Sequence, residues 1–167
     1  MEEKFIIRDV DPRDAGAIAE IYNPYVTGTV ITFEETPVTS AEMRTRIENT
    51  AKSGFPYIVA ERDNRLIGYA YAGQWRARSA YRHTVETSIY MAQDCTGHGA
   101  GTILYKELLE RLKQMNFHVV LGGITLPNPI SVRLHEKLGF KKVAHFTEAG
   151  YKFGRWLDVG FWQLTLK

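Results

Sequence analysis

Three glycines at alternate positions stand where an apolar run gives way to an amphipathic segment. Residues 88–91 end the β-like run, Gly97, Gly99 and Gly101 follow, and residues 103–112 place leucines at helical spacing. Glycines leave main-chain N–H groups uncovered, and the first turn of a helix adds unpaired donors and the positive end of its dipole. The spacing therefore predicts a turn that holds a phosphate or pyrophosphate group.

Several interpretations of this turn compete, and two of them fail on the residues alone. A P-loop needs Lys followed by Ser or Thr after its last glycine, whereas Gly101 is followed by Thr102 and Ile103. A dinucleotide-binding turn needs G-x-G-x-x-G and an acidic residue at the end of the next strand, but the next apolar run, residues 119–126, carries no acid. A tight turn without any ligand stays open, because glycine-rich turns are common.

Composition limits the classes of protein that remain. The chain has 167 residues, a formal net charge of +2 and one cysteine, Cys95. We expect a single cytoplasmic domain over residues 1–167, without a disulfide or a metal site. The weak charge disfavours a nucleic-acid partner, and no apolar run approaches the ~20 residues that cross a bilayer, so no membrane partner is expected.

Hydrophobic periodicity predicts the element order β-α-α-β-β-β-α-β-α-β-β, which is an α+β domain built on one mixed sheet. We expect a loop from Pro24 to Pro37 and a helix whose apolar stripe ends at Met115. The last two strands are expected at residues 141–146 and 158–166. The glycine turn then lies inside a β-α-β unit in the middle of the chain.

A second motif selects among the anion-binding interpretations. Residues 96–101, Thr-Gly-His-Gly-Ala-Gly, resemble the Arg/Gln-x-x-Gly-x-Gly/Ala loop of the acetyl-CoA-dependent N-acetyltransferases of the GNAT superfamily, with Thr96 in place of Arg or Gln. Downstream, Asn128-Pro-Ile-Ser131 and Leu134-His135-Glu-Lys-Leu-Gly-Phe140 resemble that family's second signature. The resemblance implies a central, mostly antiparallel sheet with helices on both faces, and acetyl-CoA as co-substrate without a metal.

The resemblance extends over essentially the whole chain to one branch of that superfamily. Residues 31–38, 69–81, 84–90 and 150–162 are similar to the phosphinothricin N-acetyltransferases, whose relatives acetylate methionine sulfoximine and methionine sulfone. The branch implies direct acetyl transfer to the α-amino group of a small amino-acid analogue, a role in detoxification and a homodimer. An acceptor such as a protein N-terminus, a lysine or a polyamine stays open, as does a non-catalytic CoA-binding sensor.

The resemblance also implies which residues hold acetyl-CoA. The glycine turn binds the pyrophosphate, strand amides near Ile89 bind the pantetheine arm and the oxyanion, and Asn128 binds pantetheine or caps its helix. The residues expected to hold the co-substrate are Ile89, Tyr90, Met91, Gly97, His98, Gly99, Ala100, Gly101, Thr102, Asn128 and Ser131.

Two residues are candidates for proton transfer. Attack on a thioester requires a neutral amine, and Glu86, on the strand that enters the glycine turn, is the predicted base. Its alternative is a strand carboxylate paired with Arg82 or His83. His135 stands where the superfamily often has a tyrosine acid, and imidazole titrates near neutrality. The alternative for His135 is a helix-surface side chain without a catalytic role.

An aromatic and basic segment precedes Glu86 in the chain. Guanidinium groups bind carboxylate, phosphinate or sulfone oxygens well, so these residues are expected to bind the acceptor, although a solvated basic loop stays open. The residues expected around the acceptor are Phe33, Glu34, Trp75, Arg76, Arg78, Tyr81, Glu86 and Thr87.

Overall fold

The computed structural model describes residues 5–167, in which seven strands form one sheet and four helices pack on it. The strands are β1 (Ile6–Asp9), β2 (Tyr57–Arg62), β3 (Arg65–Gln74), β4 (Thr84–Met91), β5 (Val119–Leu126), β6 (Lys141–Lys152) and β7 (Arg155–Thr165). The helices are α1 (Ala15–Gly28), α2 (Ser40–Lys52), α3 (Ala100–Gln114) and α4 (Pro129–Lys137). The expected α+β class and element order are confirmed. None of the helices within residues 5–167 is long and apolar enough to span a membrane.

The sheet has the order β1-β2-β3-β4-β5-β7-β6, and every neighbouring pair is antiparallel except β4 and β5. A parallel pair needs a crossover connection, which α3 supplies between these two strands. The glycine turn lies at the start of that crossover, beyond the Met91 end of β4, whereas the parallel ladder with β5 involves Thr84, Val85 and Glu86 at the other end of the strand.

The helices cover both faces of the sheet. Thr87 on β4 hydrogen-bonds the Tyr105 hydroxyl of α3 at 2.6 Å, whereas Tyr90 on the same strand packs edge-on against Tyr22 of α1 with ring centroids 5.0 Å apart. Because odd and even positions of a strand point to opposite faces, α1 and α3 lie on opposite sides. α2 packs on α1, and α4 joins α3 through a contact between Tyr105 and His135.

The expectation of a loop beginning at Pro24 is wrong for its first residues, because α1 continues through this proline to Gly28. A proline inside a helix removes one hydrogen bond and crowds the preceding turn, at a cost of about 3 kcal/mol. Tyr25 and Val26 are buried immediately after it, and burying a large side chain contributes about 1.5–3 kcal/mol each. Core burial therefore outweighs the local preference, and the loop occupies residues 29–39.

The last two strands are longer than expected. β6 reaches Lys152 after an irregularity between Phe146 and Gly150, and β7 begins at Arg155. Residues 147–152 show no apolar alternation, so only pairing with β7 makes them a strand. The apolar stripe of α3 ends before Met115, where we expected it to end, because α3 stops at Gln114 and Met115 is 45% exposed.

Candidate active site

The strands β4 and β5 separate after a short ladder. Thr84, Val85 and Glu86 pair with β5, and beyond Glu86 the two strands diverge. A cavity of about 60 Å³ opens in the gap, and its walls include four residues predicted to hold acetyl-CoA: Ile89, Tyr90, Asn128 and Ser131. An open strand edge binds an extended ligand through main-chain hydrogen bonds, as an added strand would. The gap therefore suits a slender, extended group.

The glycine turn leads from β4 into α3. Gly97 has φ 87° and Gly99 has φ 83°, a left-handed conformation that favours glycine. A Cβ at either position would meet nothing within 4 Å, so the requirement is conformational and not steric. Gly99 is the N-cap of α3, and its carbonyl accepts from Thr102 and Ile103 at 3.0 and 3.2 Å. No side chain of residues 5–167 caps this helix end, so its first N–H groups suit an anion.

Three other positions of the turn have different roles. The Thr96 hydroxyl donates to the Gln93 carbonyl at 3.1 Å and so closes the 3-10 turn before the glycines. His98 is exposed. A Cβ at Gly101 would lie 3.4 Å from Met91 Cγ, an ordinary contact, so space alone does not require glycine there.

Asn128 caps α4 at the far side of the gap. Its Oδ1 accepts from the Ser131 main-chain N–H at 3.1 Å, and Pro129 occupies the first helical position, where its missing N–H costs nothing. The cap uses only Oδ1, so the Nδ2 hydrogens remain available to a ligand in the cavity that Asn128 lines. The two uses expected of Asn128 are therefore compatible.

The Glu86 carboxyl lies half-buried at the point where β4 and β5 diverge. Its Oε1 is 3.3 Å from where a Cβ on Gly123 would stand. The alternative of a pair with Arg82 or His83 is wrong, because within residues 5–167 Glu86 has no hydrogen bond or ion pair, and Arg82 donates to the Ser79 carbonyl. Burial raises the pKa of Glu86 above its ordinary value. An unpaired, half-buried carboxyl is suited to accept a proton.

An aromatic wall stands beside Glu86. Phe161 makes edge-to-face contacts with Trp75 and Phe146, at centroid distances of 5.4 and 5.8 Å. The same ring covers Gly123, where a Cβ would stand 3.1 Å from Phe161 Cε1. A larger residue at Gly123 would press on both the ring and the carboxyl, which would have to move by a few tenths of an ångström.

The basic segment joins β3 to β4 at the surface. The Arg76 guanidinium stacks over the Trp75 ring, 5.1 Å from its centroid. Arg78 precedes the 3-10 turn Ser79–Tyr81, and both Arg78 and Tyr81 are exposed. Neither arginine forms an ion pair with another described residue. The Arg76 guanidinium is therefore available to an anion beside the aromatic wall, and Arg78 is exposed two residues further along the same segment.

The loop after α1 is anchored on three elements. Phe33 packs on Gly150 of β6, where a Cβ would stand 2.2 Å from Phe33 Cζ. The Glu34 carboxylate receives two hydrogen bonds from Arg46 of α2 and one from the Tyr22 hydroxyl of α1. The Arg46 bonds are the main reason that the pKa of Glu34 is lowered. The Glu34 oxygens therefore hold the loop in place, and the expected contact of Glu34 with the acceptor stays a prediction.

His135 and Thr87 lie on the face of the sheet opposite Glu86. Both contact the Tyr105 hydroxyl, at 3.2 Å from His135 Nε2 and 2.6 Å from Thr87 Oγ1. His135 Nδ1 is 2.8 Å from the Ser131 carbonyl. A carbonyl only accepts, so Nδ1 carries the proton and Nε2 of the neutral ring accepts from Tyr105.

This geometry corrects one expectation. The His135 ring is only 4% exposed, so it is not a helix-surface side chain. Burial lowers the pKa of His135, which favours the neutral ring, and its one proton is held by the Ser131 carbonyl. His135 and Thr87 both line the cavity between β4 and β5, while the Thr87 hydroxyl points away from Glu86 toward Tyr105. A role of His135 in proton transfer and of Thr87 in acceptor binding stays a prediction.

The family of this chain follows from a comparison with family models. Residues 7–160 match the model described as the acetyltransferase (GNAT) domain. The chain belongs to the GNAT acetyltransferase family. It is therefore an N-acetyltransferase that uses acetyl-CoA, and the open strand edge and the glycine turn are the backbone features that fit an extended arm and a pyrophosphate. Among residues 5–167, no group of three His, Cys, Asp or Glu side chains could hold a metal ion.

Relatives of this acetyltransferase match it over almost its full length. Phosphinothricin N-acetyltransferase of Streptomyces viridochromogenes is 40% identical over 94% of this chain and 85% of its own. L-methionine sulfoximine/L-methionine sulfone acetyltransferase of Pseudomonas aeruginosa is 38% identical over 96% and 94%. The crystal structure of a phosphinothricin acetyltransferase from Sinorhizobium meliloti in complex with AcCoA superposes with a TM-score of 0.94, at 40% identity over 99% of this chain and 89% of that one.

The structure of the acetyltransferase also adds residues that the sequence motifs do not contain. The aromatic wall uses Phe146 and Phe161, and the loop after α1 contributes Ile31 to the cavity wall. Gly123 and Gly150 give the space in which Glu86 and Phe33 sit. The one available signal was the Gly122-Gly123 pair inside an apolar run, because glycine in a strand interior often marks a close approach.

Proposed function

We propose that this acetyltransferase transfers an acetyl group to the α-amino group of a small amino-acid analogue of the phosphinothricin, methionine sulfoximine or methionine sulfone type. The observation that carries the proposal is Glu86, a half-buried and unpaired carboxyl where β4 and β5 diverge, flanked by an aromatic wall. The named activities of the relatives at 38–40% identity support the class of acceptor.

The chemistry is a direct transfer in a ternary complex. The acceptor enters as an ammonium, and its proton passes to Glu86, directly or through one water, because only the neutral amine is a nucleophile. The nitrogen then attacks the thioester carbonyl and forms a C–N bond, which gives a tetrahedral oxyanion. The oxyanion collapses as the C–S bond breaks, CoA leaves as a thiolate, and the second proton of the amine passes to that thiolate or to water. Burial raises the pKa of Glu86, which makes the carboxylate a stronger base than an exposed one.

The donor side is held by main-chain groups. In this proposal the N–H groups of residues 97–102 bind the pyrophosphate, with Gly97 and Gly99 setting the backbone, while Ala100 begins the helix. The unpaired edge of residues 89–91 binds the pantetheine arm and the oxyanion. Asn128 reaches the same arm through Nδ2.

In this proposal, charged and aromatic side chains bind the acceptor. Arg76 and Arg78 supply two cations without acidic partners among the described residues, which suits a carboxylate together with a phosphinate or sulfone oxygen. The aromatic wall of Trp75 and Phe161 limits the length of the side chain. A polyamine would meet the same two cations and be repelled, so a small zwitterionic acceptor is favoured.

A panel assay tests the proposal. CoA release is measured with purified protein across phosphinothricin, methionine sulfoximine, methionine sulfone, ordinary amino acids, spermidine, lysine and an N-terminal peptide. We expect turnover to be highest with the first three, and the α-N-acetyl product to appear by mass spectrometry. Preferred turnover of the peptide or spermidine would reject the acceptor class, and tight acetyl-CoA binding without any turnover would favour a sensor.

We also propose that the protein is a homodimer formed by the β6–β7 hairpin. This hairpin carries exposed large side chains that a monomer leaves in water: Val143, Phe146, Tyr151, Phe153 and Trp156. Trp156 is 62% exposed and packs on Tyr151, with ring centroids 4.8 Å apart. Contiguous exposed aromatic residues are typical of interfaces. Sedimentation should give a dimer for the native chain and a monomer for Trp156→Arg; a native monomer would reject the proposal.

We propose the location of the enzyme from its donor and its biological role from its class of acceptor. Acetyl-CoA is an intracellular metabolite, so we propose that the enzyme works in the cytoplasm and detoxifies amino-acid analogues. Expression of the chain in a sensitive bacterium should raise resistance to phosphinothricin, whereas Glu86→Gln should not. Equal resistance with both versions would reject this role.

A further inference from the structure

Lys152, near the end of β6, is a buried ammonium that the family motifs leave unused. It is 1% exposed, and its Nζ donates to the Val26 carbonyl at 2.7 Å and to the Thr32 carbonyl at 2.8 Å. The same nitrogen lies 5.0 Å from the centroid of the Phe153 ring. Val26 belongs to the end of α1, Thr32 to the loop after it, and Phe153 to the β6–β7 turn.

The partners explain how the charge is tolerated. Val26 belongs to the last turn of α1, where carbonyls have no helical partner and the helix dipole is negative. Burial lowers the pKa of Lys152, and the nearby charges of Glu34 and Glu35 oppose that shift. An apolar side chain at this position would leave the Val26 and Thr32 carbonyls without this donor, so the ammonium ties the end of α1 to the loop after it.

Thr32, whose carbonyl Lys152 holds, lies in the loop after α1, residues 29–39. The Thr32 carbonyl accepts from Lys152, while its hydroxyl hydrogen-bonds the Tyr22 hydroxyl at 2.7 Å. The residue before it, Ile31, lines the cavity between β4 and β5. The residue after it, Phe33, packs on Gly150. Fixing Thr32 therefore fixes both neighbouring side chains at the site.

We propose that Lys152 is a positioning residue that fixes residues 31–33 as one wall of the acceptor site. The proposal rests on the proposed function, because the wall matters only if a small amine binds beside it. Lys152 acts through the Thr32 carbonyl and does not itself touch the reacting atoms. Gly150, two residues earlier on the same strand, leaves room for the Phe33 ring to pack on β6.

The test compares Lys152→Met with Lys141→Met, a matched control on the same strand whose lysine is exposed. Methionine fills a similar volume but donates no hydrogen bond. We expect Lys152→Met to lower kcat/KM for the acceptor about 10- to 100-fold, because a wall displaced by about 1 Å misplaces the amine. The acceptor KM should rise most, because Phe33 is a predicted acceptor residue, and the acetyl-CoA KM should rise less, although Ile31 lines the cavity assigned to acetyl-CoA. Lys141→Met should change neither constant.

Hydrogen exchange gives a readout that needs no acceptor. The amides of residues 31–34 should exchange about tenfold faster in Lys152→Met, with the rest of the sheet unchanged. Unchanged exchange in this segment overturns the proposal whatever the turnover. A folded Lys152→Met with a native acceptor KM also overturns it. If the native enzyme turns over none of the panel amines, the proposed function fails, and the exchange result still decides whether Lys152 holds the loop.

A second variant covers the case in which Lys152→Met does not fold. Gly150→Ala places a methyl group against the Phe33 ring and lifts the loop without touching the ammonium. It should reproduce the rise in acceptor KM and the faster exchange of residues 31–34. A Gly150→Ala protein with a native acceptor KM would overturn the proposal.

Discussion

The two halves of the proposed site are built in different ways. The proposed donor half comes from two strand-to-helix junctions, β4 to α3 and β5 to α4, where main-chain groups are expected to carry the binding. The proposed acceptor half gathers side chains from the loop after α1, the β3–β4 segment, β4, β6 and β7. Short stretches of sequence encode the first half, whereas only long-range packing assembles the second.

This difference teaches which substitutions separate the two functions. A change in main-chain conformation at the glycine turn should weaken acetyl-CoA and leave the acceptor alone. A change of side chain on the acceptor half should do the opposite. Glu86 lies on the boundary and should affect the reaction rather than the binding of either substrate.

The largest effect is expected from Glu86→Gln, which removes the base and keeps its shape. We expect kcat/KM to fall roughly 10²–10⁴-fold, with acetyl-CoA affinity little changed. Initial rates and equilibrium binding of acetyl-CoA measure the two quantities. Glu110→Gln, on the exposed side of α3, is the control and should keep the native rate.

Glu86→Gln should lower activity but raise the stability of the fold at neutral pH. Because the pKa of Glu86 is raised on folding, the folded state binds its proton more tightly than the unfolded one, and stability is lost as pH rises through that pKa. Glu86→Gln should therefore unfold at a higher temperature than the native chain at pH 7. A lower Tm together with lost activity would point to a damaged fold instead of a missing base.

An intermediate effect is expected from Gly99→Ala. An alanine at φ 83° is strained by about 1–2 kcal/mol, so the turn shifts and the acetyl-CoA KM should rise about tenfold, with the acceptor KM unchanged. Gly54→Ala is a matched control, since Gly54 has φ 75°, equally open space and a position after α2. Equal acetyl-CoA constants for the two variants would contradict the anion-binding role of the turn.

A smaller effect is expected from Arg78→Ala. Losing one exposed charge-assisted contact costs about 1 kcal/mol, so the KM for an anionic acceptor should rise about fivefold while the acetyl-CoA KM stays constant. Arg44→Ala, an exposed arginine on α2, is the control. A matching rise in both constants would place Arg78 on the donor half.

The smallest effect on rate is expected from His135→Gln, because the one proton of the neutral His135 ring is held by the Ser131 carbonyl. We expect kcat within about threefold of native, below the 10²-fold that a general acid contributes. Because burial lowers the pKa of His135, the unfolded chain binds a proton first as pH falls below 6.5, and folded stability is lost there. The native Tm should therefore fall more steeply from pH 7 to 5 than the Tm of His135→Gln.

Local chemistry made much of the fold predictable. The residue pattern was sufficient for the order of the elements, the glycine turn and the Asn128 cap of α4, because each depends on neighbours a few residues apart. Pro24 misled the prediction because its local cost is overcome by core burial, and the end of β6 was missed because only β7 makes it a strand.

The candidate site also has some features that depend on local sequence and others that depend on long-range packing. The sequence by itself determined the positions of the glycine turn and Asn128, and Glu86 as the candidate base, since these depend on motif spacing and on strand alternation. Only the tertiary structure decided that His135 is buried, that Glu34 holds a loop and that Lys152 anchors Thr32. The physical reason is distance along the chain: Lys152 and Thr32 are 120 residues apart, and no local pattern records which carbonyl will meet a buried ammonium.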